Sequence, residues 1–126
     1  MAIPNRNINY PTAIKFGVGR IQELPGFCKS AGIKRPLVVT DKGLAALPMV
    51  ADVMVDLRAA GLKPGLFADV RPNPVEENVL EGCKAFIAGK HDGVVAIGGG
   101  SALDIGKLIA LMHAQTLSVF ELEDVD

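Results

Sequence analysis

Little in this sequence assigns a function at sight. Its charges nearly cancel, 13 Lys and Arg against 14 Asp and Glu for a net charge of −1, so there is no electrostatic footprint for nucleic acid or an anionic membrane surface. Cysteine is scarce: Cys28 and Cys83 lie far apart and match no metal-ligand spacing, and reduced, buried thiols in a cytoplasmic protein are the expectation. The two histidines, His91 and His113, have no Cys or carboxylate partner at ligand spacing, so no metal site is assigned within this chain. No Ser/His/Asp arrangement for nucleophilic catalysis is present either. The opening residues, MAIPNRNINY, have no apolar centre of the kind a signal peptide needs. No apolar run reaches the roughly 20 residues of a membrane-spanning helix. Repeats and low-complexity tracts are also missing. These absences leave a cytoplasmic protein with neither nucleic acid nor membrane as partner.

What is present is a globular composition. Of 126 residues, 49% are apolar and 21% charged, the size and balance of one ordinary domain with a real core. Mean hydropathy is +0.32, high for a small domain that must cover itself with polar surface. Some apolar surface is therefore expected to meet a partner, either another subunit or further chain.

Strand and helix signals alternate. "TAIKFG" (12–17) reads as a strand followed by a glycine turn, and 20–32 as a helix with Ile21, Leu24, Phe27, Cys28 and Ala31 on one face. "PLVVT" (36–40) is a short, wholly apolar strand of the type found inside parallel sheets. Residues 43–61 read as a helix restarted at Pro48, with Val50, Val53, Met54 and Leu57 at helical spacing and Gly61 as its stop. A weaker strand over 63–69 leads into the loop "VRPNP" and a helix over 74–89, where Val75, Val79, Cys83, Phe86 and Ile87 form one stripe. "VVAI" (94–97) is a strand and 102–114 a helix, while 115–126 carries no strand that would complete another unit. The alternation recurs at the spacing of successive βαβ units, so the fold class expected is α/β, a Rossmann-like parallel sheet with helices on both faces. Ligands of such sheets bind outside the carboxyl ends of the strands. The loops after Thr40, Asp69 and Ile97 should therefore converge on one crevice.

The most informative stretch is "VVAIGGGSALDIGK" (94–107), where a strand gives way to a helix through three glycines. Glycine there lets the backbone take positive φ and approach a ligand without a Cβ clash, and a helix N-terminus suits a phosphate. Gly98, Gly99, Gly100 and Ser101 are thus candidates to cradle a pyrophosphate, against the plainer reading of a tight turn with no ligand. Ser101 and Asp104 have the spacing of a capping pair. Asp104 would repel a pyrophosphate, so its expected part is to hold the loop or reach a sugar hydroxyl or the nicotinamide side. Lys107 is expected to pair with Asp104. Asp41 directly follows a strand, where an acidic residue either forms a turn or accepts hydrogen bonds from ribose hydroxyls and repels a 2′-phosphate. Asn73, in "PNP", is likewise a turn former or a ligand amide. The G-x-G-x-x-G fingerprint is absent.

Four stretches, "KFGVGRI", "LVVTDKGL", "VRPNP" and above all "AIGGGSALDIGK", resemble in order and spacing the iron-containing (group III) alcohol dehydrogenases. That family includes lactaldehyde reductases, butanol dehydrogenases, maleylacetate reductases and glycerol dehydrogenases. The resemblance implies an oxidoreductase: reversible hydride transfer between an alcohol or aldehyde and NAD, with a divalent metal, iron or zinc, polarising the substrate oxygen. It implies Asp41 as the residue that selects NAD over NADP. It also implies Asn73, Gly99, Gly100, Ser101, Ala102 and Asp104 as contacts to the dinucleotide. Family members continue with an all-helical domain that supplies an aspartate and three histidines to the metal, and no position here matches those ligands. Residues 1–126 are therefore expected to be a partial NAD-binding domain, inactive alone, whose complete enzyme is a homodimer acting on a small-molecule alcohol or aldehyde. The alternatives are a stand-alone nucleotide- or phosphate-binding module and a maleylacetate reductase- or glycerol dehydrogenase-like relative.

Overall fold

A computed structural model describes residues 20–71, 76–113 and 115–120. The strand expected over 12–17 and Asn73 lie outside the described residues. A 3-10 turn, Arg20–Glu23, runs into helix α1, Leu24–Ser30. There follow β1 (Pro36–Asp41), the single-turn α2 (Lys42–Ala45), α3 (Pro48–Ala59), β2 (Gly65–Val70), α4 (Glu76–Ala88), β3 (Gly93–Gly98), α5 (Gly100–His113) and β4 (Gln115–Phe120). The four strands form one parallel sheet in the order β2-β1-β3-β4. β4 corrects the sequence reading of an unfinished tail. "QTLSVF" lacks the run of Val and Ile that marks β1 and β3, and its pairing with β3, from Gln115 opposite Gly93 to Phe120 opposite Gly98, is a tertiary event.

Strand order dictates where the helices go. The chain steps from β1 to β2 in one direction, then from β2 to β3 and from β3 to β4 in the other. With right-handed crossovers the first helix must lie on one face of the sheet and the later two on the opposite face. Side-chain alternation along the strands records this division. Val38 on β1 and Val95 and Ile97 on β3 pack with Leu24, Cys28, Val53, Met54 and Leu57 of α1 and α3. Leu37 and Val39 on β1 and Val94 on β3 pack with Cys83 and Phe86 of α4 and with Ile105 and Ile109 of α5. β3 is buried along its whole length, as a strand covered on both faces must be. Each fully buried Val or Ile in it contributes about 1.5–3 kcal/mol of apolar burial.

The glycines at the helix–sheet contact explain how closely α5 can lie. A Cβ on Gly106 would sit 2.7 Å from the Ala96 Cβ, so α5 rests almost backbone-to-backbone on β3. On α4, Gly82 faces Ile109 in the same way. That contact turns the buried stripe of α4 toward Asn78, Gly82, Cys83 and Phe86. Ile87, expected on the stripe, is 60% exposed. At the other end of the strands, Asp92 accepts hydrogen bonds from the Lys34 and Arg35 amides (2.8–3.2 Å), and the Arg35 guanidinium donates to the carbonyls of Gly89 and Lys90. This latch fixes the amino ends of β1 and β3, so that their carboxyl ends open together at the opposite edge.

Candidate functional site

The order β2-β1-β3-β4 has its switch point between β1 and β3, where successive connections leave in opposite directions and a crevice opens at the carboxyl ends. A cavity of about 500 Å³ lies there, walled by residues 41–43 after β1, 69–71 at the end of β2 and 99–102 after β3. The three loops expected to converge do so. Asp41, Gly99, Gly100, Ser101 and Ala102 are all brought to one wall or another. Asp104 is not: it sits one turn down α5, exposed to solvent. It forms no ion pair with Lys107, which is also exposed.

The β3–α5 turn is built for close approach. Gly98 has φ of +141°, a conformation side-chain-bearing residues avoid, and a Cβ there would meet the Ala102 Cβ at 3.0 Å and Leu44 at 3.3 Å. Gly99 and Gly100 face open space instead: a Cβ on either would meet nothing within 4 Å. The Gly99 carbonyl accepts from the Leu103 amide at 3.1 Å. Helix α5 therefore begins at Gly100, with Ser101 inside its first turn rather than at the cap where the sequence spacing put it. The first amides of a 14-residue helix have no partners within the helix and carry its positive dipole end. Bare backbone, open space and oriented N–H groups fit the phosphate portion of a nucleotide.

Asp41 does two things. Its Oδ1 accepts from the Leu44 amide at 2.8 Å and so caps α2. Its Oδ2 lies on the side of Gly98, 3.8 Å from where a Cβ would be. The capping role and a ligand-accepting role are compatible, because each uses a different oxygen. Across the mouth, Lys42 Nζ pairs with Asp69 Oδ1 at 3.4 Å, an exposed contact worth no more than about 1 kcal/mol.

The third wall, expected from the loop after Asp69, is shaped by a feature the sequence did not show. β1 advances two residues, from Val39 to Asp41, while β2 advances three, from Phe67 to Val70. The extra residue is a β-bulge, a device common beside functional sites because it re-aims side chains. It returns Val70 to the core beside Phe67 and leaves Asp69 at the mouth. Arg71, next in the chain, is held by Glu81 at 3.2 and 3.3 Å. No group of three or more His, Cys, Asp or Glu side chains that could hold a metal occurs among the described residues, and their chemistry does not fit an iron or zinc centre. Both cysteines are free and buried. Burial, with the nearby Asp92 charge, pushes the Cys28 thiol up to about 11, and burial raises Cys83. Neither is a nucleophile near neutral pH.

Fold and site define a class: a parallel α/β sheet with a glycine-walled, helix-headed crevice at its switch point, the architecture of nucleotide-binding domains. Residues 11–125 match the family described as iron-containing alcohol dehydrogenase, and the chain belongs to that family. A choline dehydrogenase of Bacillus subtilis (strain 168) is 34% identical over 116 residues, 92% of this chain and 29% of the relative. A crystal structure of 1,3-propanediol oxidoreductase superposes with a TM-score of 0.72 at 35% identity, over 86% of this chain and 28% of the other. Sulfoacetaldehyde reductase from Bifidobacterium kashiwanohense, solved in complex with NAD+, gives a TM-score of 0.72 at 28% identity, over 79% of this chain and 26% of that one. The chain thus spans less than a third of the length of these relatives.

Proposed function

We propose that this chain forms the cofactor-binding part of an NAD-dependent, metal-requiring alcohol dehydrogenase. The proposed reaction is reversible hydride transfer between a small-molecule alcohol or aldehyde and nicotinamide. The observation that carries the reading is the crevice, in which the Gly98 turn, the α5 N-terminus and the free oxygen of Asp41 face one space. Membership of the family and the NAD+ complex of the reductase relative support the cofactor class. In this reading Gly99, Gly100, Ser101 and Ala102 hold the pyrophosphate with backbone N–H groups. Asp41 accepts from the ribose hydroxyls and repels a 2′-phosphate. Asn73 is proposed as a further contact to the dinucleotide; Asp104, exposed one turn down α5 and outside the crevice lining, is assigned no contact to it. Bound nicotinamide supplies the hydride chemistry, and the residues of this chain bind and orient it. The metal, iron or zinc, would be held by residues outside those described, so no step is assigned to it here. A cytoplasmic homodimer, with residues 1–126 as part of its NAD-binding domain, completes the proposal.

Titration with NADH and NADPH, read by nicotinamide fluorescence, tests it. NADH is expected to bind more tightly than NADPH. Asp41→Gly should narrow that preference by about tenfold, the equivalent of one lost like-charge repulsion of roughly 1.4 kcal/mol. A wild-type protein that binds neither dinucleotide removes the reading. An unchanged preference in the variant removes Asp41 from the ribose.

A further inference from the structure

Asn78 and Thr40 are the two fully buried polar side chains among the described residues, and Asn78 is bonded through both its Oδ1 and its Nδ2. Its Nδ2 donates to the Asp69 carbonyl at 3.1 Å, and its Oδ1 accepts from the Arg71 amide at 3.0 Å. These two backbone groups flank Val70. They are the pair that a residue of a parallel neighbouring strand would engage. Val70 itself is registered with Asp41 of β1, and among the described residues β2 is the outer strand of the sheet, so the Asp69 carbonyl and the Arg71 amide turn away from β1. The carboxamide of Asn78 thus bonds this pair as one residue of a parallel strand would. It does so just after the bulge, where the ladder is weakest. Glu81 braces the arrangement, accepting from Asn78 Nδ2 at 3.4 Å and from Arg71 at 3.2 Å.

We infer that Asn78 is a positioning residue for the nucleotide: by clamping both sides of Val70 to the first turns of α4, it fixes the 69–71 wall of the crevice. The inference rests on the reading of the crevice as a nucleotide site. Asp69 and Arg71 contribute little to the core; what the clamp holds in place is the mouth. Only an amide presents a donor and an acceptor side by side in this space. Asn78→Asp keeps the shape and the acceptor but sets an oxygen against the Asp69 carbonyl. Asn78→Ser removes the reach.

The test compares these two variants with Phe86→Leu, a change on the same helix deep in the core and away from the crevice. The Kd for NADH is measured at a temperature where all four proteins are folded by circular dichroism, together with hydrogen exchange of the Arg71 amide in the wild type. The expected result is a Kd about tenfold or more higher in both Asn78 variants, the scale of effect of a slightly misplaced binding wall, with Phe86→Leu unchanged. The Arg71 amide should be protected although it faces the sheet edge. Wild-type Kd in the Asn78 variants, or an equal rise in Phe86→Leu, overturns the inference while leaving the nucleotide site intact. So does an unprotected Arg71 amide, which remains readable if neither variant folds. A wild type that binds no NADH overturns the reading of the site and this inference with it.

Discussion

Thr40, next to last in β1, has its hydroxyl wholly buried and without a hydrogen-bond partner. A buried hydroxyl left unpaired costs the desolvation of that group, about 1–3 kcal/mol. Thr40→Val keeps the β-branched shape that a strand favours and removes the polar atom. We expect it to raise the melting temperature, with a gain of about 1 kcal/mol; a lower melting temperature would show that the hydroxyl has a partner in solution. Asp41 is the opposite case, a polar residue whose Oδ1 is satisfied by the Leu44 amide. The sequence marked Asp41 and the glycines because strand ends and glycine runs are visible in one dimension. Asn78 was invisible in that sense. An Asn amid Glu76, Glu77 and Glu81 reads as surface, and only its contacts with Asp69 and Arg71, nine and seven residues upstream, make it interior. The signal that could have found it is its helix position beside Val79, Gly82 and Cys83, on a stripe otherwise free of polar groups.

Among the elements, α5 and β3 were the most legible, β4 was missed altogether, and α4 was misread at one position of its stripe. The apolar α5 sequence led to the expectation of a helix covered on most sides. Ala102, Ile105, Ile109 and Ala110 are buried, but Leu108 at 44% and Leu111 at 79% exposure lie open on the other face, so one face only is covered. Gly106 tests how that contact is made. Glycine to alanine inside a helix ordinarily gains up to about 1 kcal/mol of propensity. Here the new methyl would meet the Ala96 Cβ at 2.7 Å, an atom with no rotamer in which to escape, so overpacking of about 1–3 kcal/mol outweighs the gain. Gly106→Ala should therefore lower stability in urea unfolding. Gly82→Ala, whose nearest atom is the movable Cδ1 of Ile109, should change it much less. Equal stability of Gly106→Ala and wild type would overturn this account of the α5–β3 contact. For α4 the apolar stripe was read one residue too far toward Ile87, because periodicity gives an angle but not the neighbour that sets it.

Across the molecule, ionisation of the buried thiols sets an alkaline limit on stability. Cys28, raised from 9.0 to about 11, stays neutral in the fold at pH values where the unfolded chain has already lost the proton. The unfolded state then binds fewer protons, so stability is full below pH 9 and falls as pH rises from there to about 11. Cys83 acts in the same direction. Denaturation midpoints taken across that range should fall in the wild type and fall less in Cys28→Ala; parallel curves would remove the thiol as the cause. The high mean hydropathy also finds its place at this scale. Leu111 at 79%, Ile87 at 60% and Val55 at 59% exposure are apolar side chains on the outer surfaces of three different helices. Sequence by itself determined the alternation of strand and helix, the two-sided burial of β1 and β3, the glycine turn and the family. Each of these rests on local pattern: period, breaker residues and motif spacing. Tertiary structure decided the strand status of Gln115–Phe120, the bulge at the end of β2, the outward turn of Ile87 and the clamp made by Asn78. In each of these a weak local preference is overruled by a partner distant in sequence, and the energy that decides exists only once both are in contact.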